Sequence, residues 1–156
     1  MVGFDGYKKI KGTKIHAAVA EGSLPIAVAI GSGREHKGRK LIPLMESISI
    51  KTEHKGRPSK RPDEVYADSK YDMPLVKIYL DGKHVKAKTP SRSKKRRGRP
   101  REFDKASYIG VRYKVDRFFG RLENFKRIAM RYERRAKVFL GVIYIACIMI
   151  LWRILK

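Results

Sequence analysis

Two aspartates, Asp68 and Asp116, stand where a carboxylate could take part in chemistry. Asp116 lies in a stretch with helical periodicity, residues 108–132, one turn after Arg112 and among further arginines. Asp68 follows residues 65–67, which are predicted to form a strand, and ligands gather at the carboxyl ends of strands in open sheets. Carboxylates from separate elements that converge on one point are the ligands that Mg²⁺ or Mn²⁺ requires. Such ions can support a displacement at phosphorus.

Both aspartates also have an ordinary structural interpretation. Asp116 could belong to a surface ion pair of a kind that contributes well under ~1 kcal/mol. Asp68 or Asp72 could cap a helix that starts near Pro74. Residue types and spacing leave these alternatives open.

The helix predicted over residues 108–132 must position Asp116. Its predicted buried stripe consists of Val111, Val115, Phe118, Leu122, Phe125, Ala129 and Tyr132. The opposite face carries Arg117, Arg121, Arg127 and Arg131, and Glu123 lies two turns after Asp116. Gly120 weakens the helix only slightly.

The remaining pattern predicts an α/β domain. Residues 14–20 and 24–31 are predicted to form an antiparallel hairpin, with residues 65–67 as a further strand of the same sheet. Residues 1–14 are expected to be rich in turns, and residues 51–61 to form a basic loop. A helix is expected over residues 37–49, with Pro43 near its first turn. Its predicted buried side is Leu41, Leu44, Met45 and Ile48.

Composition favours a polyanionic partner. The chain has 156 residues and a formal net charge of +23, which attracts nucleic acid first and an anionic membrane surface second. Its 42% hydrophobic content excludes a purely disordered basic tail. Cys147 is the single cysteine, so no internal disulfide can form, and the N-terminal residues do not resemble a signal peptide.

A basic loop within residues 86–102 is the densest charged segment. We predict that it contacts nucleic acid, although a solvated charged loop would have the same composition. Residues 97–100 resemble the core of an AT-hook, which inserts arginines into the minor groove. The candidate DNA-binding residues of this loop are Lys94, Lys95, Arg96, Arg97, Arg99 and Arg101.

The C-terminal apolar run, residues 138–151, is shorter than the ~20 residues a membrane helix needs, and Arg153 interrupts its extension. We therefore expect a core helix that includes Cys147 and Trp152, and no membrane partner. A membrane anchor is the alternative interpretation.

Specific segments resemble DDE-type insertion-sequence transposases. Val115-Asp116-Arg117-Phe118-Phe119, followed by Arg121-Leu122 and residues 125–128 (Phe-Lys-Arg-Ile), resembles the family's Val-Glu-Arg-Phe-Phe, Arg-Leu and Phe-Arg-Arg-Ile. Residues 67–72 resemble the family's Ala-Asp-Lys-Gly-Tyr-Asp. The resemblance covers nearly the whole chain. Asp116 replaces the usual Glu, and Glu123 stands where the family usually has Lys.

The resemblance implies a ribonuclease H-like mixed sheet flanked by helices, in one catalytic-type domain over residues 1–156. Asp68 would be the second catalytic acid and Asp116 the third, both binding Mg²⁺ or Mn²⁺, with Asp72 as a cap. The strand that carries the family's first acid is expected upstream of Met1, so the chain would be N-terminally truncated. Asp5, in a setting typical of a turn, is the remaining candidate for the third ligand. His16 and His36 would be structural or DNA-facing.

The resemblance also implies a function and a setting. The chain would cleave DNA at element ends and join it to target DNA as a cytoplasmic prokaryotic protein, forming a homo-oligomer when active. Arg112, Arg117, Arg121 and Arg127 would contact DNA. The alternative is an inactive fragment, a DNA-binding remnant that interferes with a full-length transposase.

Overall fold

The computed structural model describes residues 2–6, 9–51, 56–90 and 103–156. The chain is a mixed α/β protein with two small sheets. Its elements, in chain order, are β1 (Gly3–Asp5), β2 (Ile10–Val19), β3 (Pro25–Ser32), α1 (Leu41–Glu46), β4 (Glu64–Tyr66), α2 (Pro74–Gly82), β5 (Lys86–Lys88), α3 (Lys105–Glu123), α4 (Lys126–Ala129) and α5 (Ala136–Leu155).

The chain divides into two compact units, each described here by itself. The first unit comprises Met1–His36 and Tyr113–Lys156, and the second comprises Lys37–Arg112. This division does not decide the number of evolutionary domains, so the single-domain interpretation stays a prediction. Of the range 86–102 predicted as a basic loop, residues 86–88 form β5, and residues 91–102 lie outside the described residues.

The sheet of the first unit has the strand order β1-β2-β3 and is antiparallel. The predicted hairpin is confirmed, and its loop, Glu21–Ser23, is a 3₁₀ turn in which Gly22 has a φ of 69°. The turn-rich interpretation of residues 1–14 is wrong for β1 and for the start of β2. These two segments pair, Phe4 opposite Lys11, and the ladder supplies their backbone hydrogen bonds.

The prediction of one continuous helix over residues 108–132 is wrong beyond Glu123. Helix α3 ends at Glu123, Phe125 is extended (φ −82°, ψ 102°), and the short helix α4 follows. The break turns the chain so that Ile128 is buried while Tyr132 is 69% exposed. Core packing of Phe125 and Ile128 therefore outweighs the continuous helical periodicity of the sequence.

The core of the first unit lies between β3 and the helices. Its buried members are Val28, Ile30, Phe118, Leu122, Ile128, Phe139, Ile143, Ala146, Cys147 and Ile150. Helix α5 packs on β3, which agrees with the predicted core helix. Burial raises the pKa of the Cys147 thiol to about 11, so the thiol stays protonated at neutral pH.

The outer face of α5 is apolar and exposed. Trp152 is 73% exposed, so its predicted place in the core is wrong, because it lies on the side of the helix away from the buried stripe. By length and composition α5 is also long and apolar enough to cross a membrane, a property that core helices of soluble proteins share. The absence of a membrane partner stays a prediction.

The second unit buries the predicted side of its first helix. Leu41, Leu44, Met45 and Ile48 are all buried, although α1 is shorter than predicted because a 3₁₀ turn, Lys37–Lys40, precedes it. The Tyr79 hydroxyl of α2 donates to Glu46 Oε1 at 2.6 Å and ties the two helices together.

Strand β4 forms where a strand was predicted, but its pairing was predicted wrongly. It pairs in parallel with β5, Val65 opposite Ala87, in a two-stranded sheet separate from the hairpin's sheet. Parallel neighbours need a crossover, and α2 supplies one between β4 and β5. Apolar patterning identifies a strand but not its partner.

Candidate functional site

Asp68 lies two residues after the end of β4, and its side chain is exposed. Its backbone is extended, and its carbonyl oxygen accepts a hydrogen bond from Tyr71 N at 2.8 Å, which starts the 3₁₀ turn Ser69–Tyr71. The carboxylate oxygen Oδ1 accepts a hydrogen bond from Ser69 Oγ at 3.1 Å. Burial, together with the charge of Asp68, raises the pKa of Tyr71 to about 12. The local fold thus presents an exposed carboxylate just after the end of a strand.

Neither Asp68 nor Asp72 caps α2, so the cap predicted for Asp72 is wrong. Met73 occupies the N-cap position, and no side chain there donates or accepts a capping hydrogen bond. Asp72 instead pairs through Oδ1 with Lys77 Nζ, one turn into the helix. Pro74 at the first helical position lacks an N–H that would need a cap, which reduces the demand for one.

Asp116 lies within α3, and its side chain is exposed, as expected for a residue opposite the buried stripe of Phe118 and Leu122. On the same helix, the Arg117 guanidinium lies over the Tyr113 ring, 5.0 Å from its centroid. Helix α3 begins after Asp104, whose Oδ1 accepts hydrogen bonds from Ala106 N at 3.0 Å and Ser107 N at 3.1 Å. This cap fixes where the helix starts.

Asp5 is the last residue of β1 rather than part of a turn. Its Oδ2 lies 3.2 Å from Lys14 Nζ, and only 18% of its side chain is exposed. Lys14 Nζ also donates to the backbone oxygen of Glu35 at 3.3 Å. A metal ion at Asp5 would have to displace this ion pair.

The candidate acids fit a divalent cation in type but not in number. Asp68 and Asp116 offer exposed oxygen donors, which suit Mg²⁺ or Mn²⁺. Within residues 2–6, 9–51, 56–90 and 103–156, no three His, Cys, Asp or Glu side chains form a group that could hold a metal ion. Asp68 belongs to the second unit, and Asp5 and Asp116 belong to the first.

The predicted DNA-binding residues have different environments. Those from Lys94 to Arg101 lie outside the described residues. Arg112, Arg117 and Arg127 are exposed, whereas Arg121 is partly buried. Arg127 Nη2 lies 2.8 Å from Glu133 Oε1, whose side chain is only 4% exposed, so this arginine also has a structural role.

Sequence reasoning missed the role of Arg131, which it placed on the basic helix face. The guanidinium donates to Thr13 Oγ1 and to the backbone oxygens of Glu133, at 2.9 Å, and Arg134, at 3.3 Å. It also lies over the Phe139 ring, 4.9 Å from its centroid. Arg131 therefore ties β2 to the segment that enters α5. His16 is 4% exposed within β2, which fits the structural alternative for that residue.

Comparison with known proteins places the chain in a family. The family model described as a transposase DDE domain matches residues 3–151. A Burkholderia cepacia protein provisionally described as the transposase for insertion sequence element IS402 is 27% identical over 146 residues, which is 93% of this chain and 65% of that protein. A Brucella ovis protein, provisionally described as the transposase for insertion sequence element IS6501, is 28% identical over 138 residues, 88% of this chain and 96% of that protein.

The chain thus spans just under two thirds of the first relative and nearly all of the second. No solved structure matches it. The match to the family model includes both Asp68 and Asp116 and covers nearly the whole chain. On this evidence, the chain belongs to the DDE-type insertion-sequence transposases.

Proposed function

We propose that this chain is the catalytic-type domain of an insertion-sequence transposase that cleaves DNA at element ends and joins the freed 3′ hydroxyl to target DNA. The family match over residues 3–151 is the observation that carries this proposal. Support comes from the exposed carboxylates of Asp68, at the end of β4, and Asp116, on α3. The fold class we propose is ribonuclease H-like, and the parallel β4–β5 pair with its crossover helix is compatible with it.

Asp68 and Asp116 would hold a divalent cation, Mg²⁺ or Mn²⁺, since the family uses divalent metal ions. When bound, the cation would supply positive charge at the reacting phosphate. The chain's own residues have the remaining tasks. The extended backbone at Asp68 and its turn hold that carboxylate at a strand end, and the capped helix α3 holds Asp116.

DNA is the proposed substrate and partner. The net charge of +23 supplies a field that attracts the phosphate backbone. Exposed arginines of α3, such as Arg112 and Arg117, would contact phosphates, together with the basic residues from Lys94 to Arg101. We further propose a cytoplasmic prokaryotic location and a homo-oligomer as the active form.

DNA binding without catalysis is a second proposed function. Two observations favour it. The described residues contain no group of three metal ligands, and Glu123 carries a negative charge where resembling sequences have Lys. A chain of this kind would occupy element ends without cutting them and would interfere with a complete transposase.

A strand-transfer assay on DNA carrying the element's own ends separates the two functions. With two candidate carboxylates, we expect little or no Mg²⁺- or Mn²⁺-dependent joining by the chain alone, because a misplacement of about 1 Å can cost roughly 10²-fold in rate. A chimera in which a strand carrying the family's first acid is fused ahead of the chain is expected to gain activity. That activity should fall at least about 10²-fold in Asp68→Ala and Asp116→Ala.

The matched control is Asp81→Asn, which removes an exposed carboxylate from α2. It should leave the chimera's activity unchanged. Robust joining by the unmodified chain that is lost in Asp68→Ala would eliminate the second function and favour Asp5 as a third ligand. Chimera activity that survives Asp68→Ala would overturn the assignment of that acid.

A further inference from the structure

The outer face of α5, away from the core, carries a regular row of apolar residues. They recur at alternating steps of three and four, which is the spacing of the seam of a coiled coil. The members of this row, called the outer seam, are Val138, Gly141, Ile145, Ile148, Trp152 and Leu155. All but the partly buried Gly141 are exposed. The core side of the same helix consists of Phe139, Ile143, Ala146, Cys147 and Ile150. Helix α5 therefore has two apolar faces, and the core covers one of them.

A groove of about 430 Å³ opens on the C-terminal half of the outer seam. Lys156 lines its end, and the other lining residues have the spacing i, i+3, i+4 and i+7: Ile148, Leu151, Trp152 and Leu155. Four residues with this spacing form the hole that receives one side chain of a facing helix. The occupant that this groove fits is therefore an apolar helix.

The sizes of the outer-seam residues favour a second copy of α5 in antiparallel orientation. The spacing of the seam is the same in both directions, so an antiparallel copy matches it residue for residue. This pairing sets Ile145 opposite Ile148, and it sets Gly141, the smallest member, opposite Trp152, the largest. Among the residues that the structure describes, no atom lies within 4 Å of where a Cβ atom of Gly141 would be, so this space is open to an indole. Parallel pairing would instead set the two indoles against each other.

Charge and area are both compatible with a dimer. The helix has no charged residue between Lys137 and Arg153, so two chains of net charge +23 can meet along this face without opposing like charges. The exposed apolar side chains of α5 present roughly 600–800 Å², at about 150–250 Å² for a large aromatic side chain and less for an aliphatic one. A standard interface buries about 800 Å² per partner. The outer seam is thus large enough for a dimer of moderate affinity.

We propose that the outer seam of α5 is the interface of an antiparallel dimer of this chain. In this dimer the Trp152 indole lies beside Gly141 of the second copy, and the N-terminal half of the second α5 covers the groove. The two-fold axis passes between Ile145 and Ile148, so every contact occurs twice. The inference deepens the proposed function, on which it rests for the homo-oligomer, by naming the surface that joins its subunits.

Sedimentation equilibrium of the nuclease-treated full chain, without DNA or metal, measures the dimer. We expect a monomer–dimer equilibrium at least as strong at about 500 mM salt as at about 150 mM, because salt screens the like charges of the two chains. Ile145→Ser should weaken the dimer at least about tenfold, since its loss from the centre of the interface counts twice. The matched control is Ile78→Ser, which removes an isoleucine of similar exposure from α2. It should leave the dimer unchanged.

An exchange of sizes tests the antiparallel pairing. Gly141→Leu fills the space that Trp152 of the second copy needs and should weaken the dimer at least about tenfold. The folded monomer accommodates this change, because the position borders open space and Leu has a higher helix propensity than Gly. Adding Trp152→Ala should restore affinity at least about threefold relative to Gly141→Leu alone, because the two positions face each other. An undiminished dimer in Gly141→Leu, or no rescue by the second substitution, overturns the pairing.

Two outcomes overturn the inference outright. One is a wild-type chain that stays monomeric at about 100 μM, well above a micromolar dissociation constant. The other is flotation with phosphatidylcholine vesicles at high salt that is lost in Ile145→Ser, which would make the outer seam a membrane-binding face.

The result is separable from that of the proposed function. A chain without strand-transfer activity can still dimerise, and a monomeric chain can still join DNA. Below the dissociation constant the outer seam is uncovered, so its residues contribute to the affinity of the dimer and hardly to the stability of the monomer.

Discussion

Two arginines four residues apart, Arg127 and Arg131, have different tasks in the folded chain. Arg127 is exposed and pairs with Glu133, whereas Arg131 reaches Thr13 on β2 and two backbone oxygens near α5. Sequence periodicity assigned both to one basic face. The break after α3 gives them different surroundings, so their charge alone does not determine their role.

Arg131→Ala is expected to reduce the free energy of unfolding by about 2–3 kcal/mol, because a charged donor with three acceptors, two of them in partly buried hydrogen bonds, is lost. Urea unfolding followed by circular dichroism measures the change. Arg134→Ala, an exposed neighbour, is the control and should change the free energy by less than about 0.5 kcal/mol. Equal effects of the two substitutions would contradict the structural role of Arg131.

At the scale of elements, local capping and core burial determine where helices begin and end. Asp104 caps α3 through Ala106 and Ser107, and its hydrogen bonds to the Ser107 side chain and backbone lower the pKa of its carboxyl group. At the other end, α3 stops at Glu123, and Phe125 then has an extended backbone and packs against the core. Both the Asp104 cap and the break before Phe125 therefore define the helix that carries Asp116.

Asp104→Ala is expected to lower the thermal midpoint by a few degrees at neutral pH. Because the folded pKa of Asp104 lies below its ordinary value, its stabilisation is present above that value and is lost as the pH falls through the folded pKa. The difference between wild type and Asp104→Ala should therefore disappear in acid. Asp104→Asn keeps a capping oxygen that does not titrate in this range, so its midpoint should stay above that of Asp104→Ala in acid. A difference that grows in acid would contradict the capping account.

Helix α5 offers a comparison between its two faces. Ile143→Ala removes a side chain with 0% exposure and is expected to reduce the free energy of unfolding by about 2–5 kcal/mol. Trp152→Ser removes an exposed side chain and should change it by less than about 0.5 kcal/mol. Urea unfolding of both variants measures the contrast. A large effect of Trp152→Ser would mean that another surface covers the outer face.

For the whole molecule, charge is the dominant property. A net charge of +23 on 156 residues makes binding to DNA strongly dependent on salt, because each neutralised phosphate releases counterions. The salt dependence of DNA binding requires no particular protein fold. It depends only on the number of basic side chains that contact DNA phosphates.

Replacing Lys94, Lys95, Arg96 and Arg97 with Gln is expected to lower the slope of log affinity against log salt by up to about four, since each contact contributes about 0.9. Fluorescence anisotropy with a labelled duplex between 50 and 200 mM salt measures the slope. The control with an equal loss of charge replaces Lys60, Lys86, Lys137 and Lys156, which are all exposed. Equal slopes for the two variants would indicate a general effect of charge rather than a contact of the basic loop.

The sequence by itself determined the family, the hairpin, the strand before Asp68 and the buried side of α1, because each rests on local periodicity or on a short motif. Only the tertiary structure decided the pairing of β4 with β5, the end of α3 at Glu123, the partner of Asp72 and the exposed position of Trp152. It also revealed the ties made by Arg131 and the buried Nη1 of Arg121. These features depend on contacts between residues far apart in the chain, and neither periodicity nor residue type specifies which partners meet.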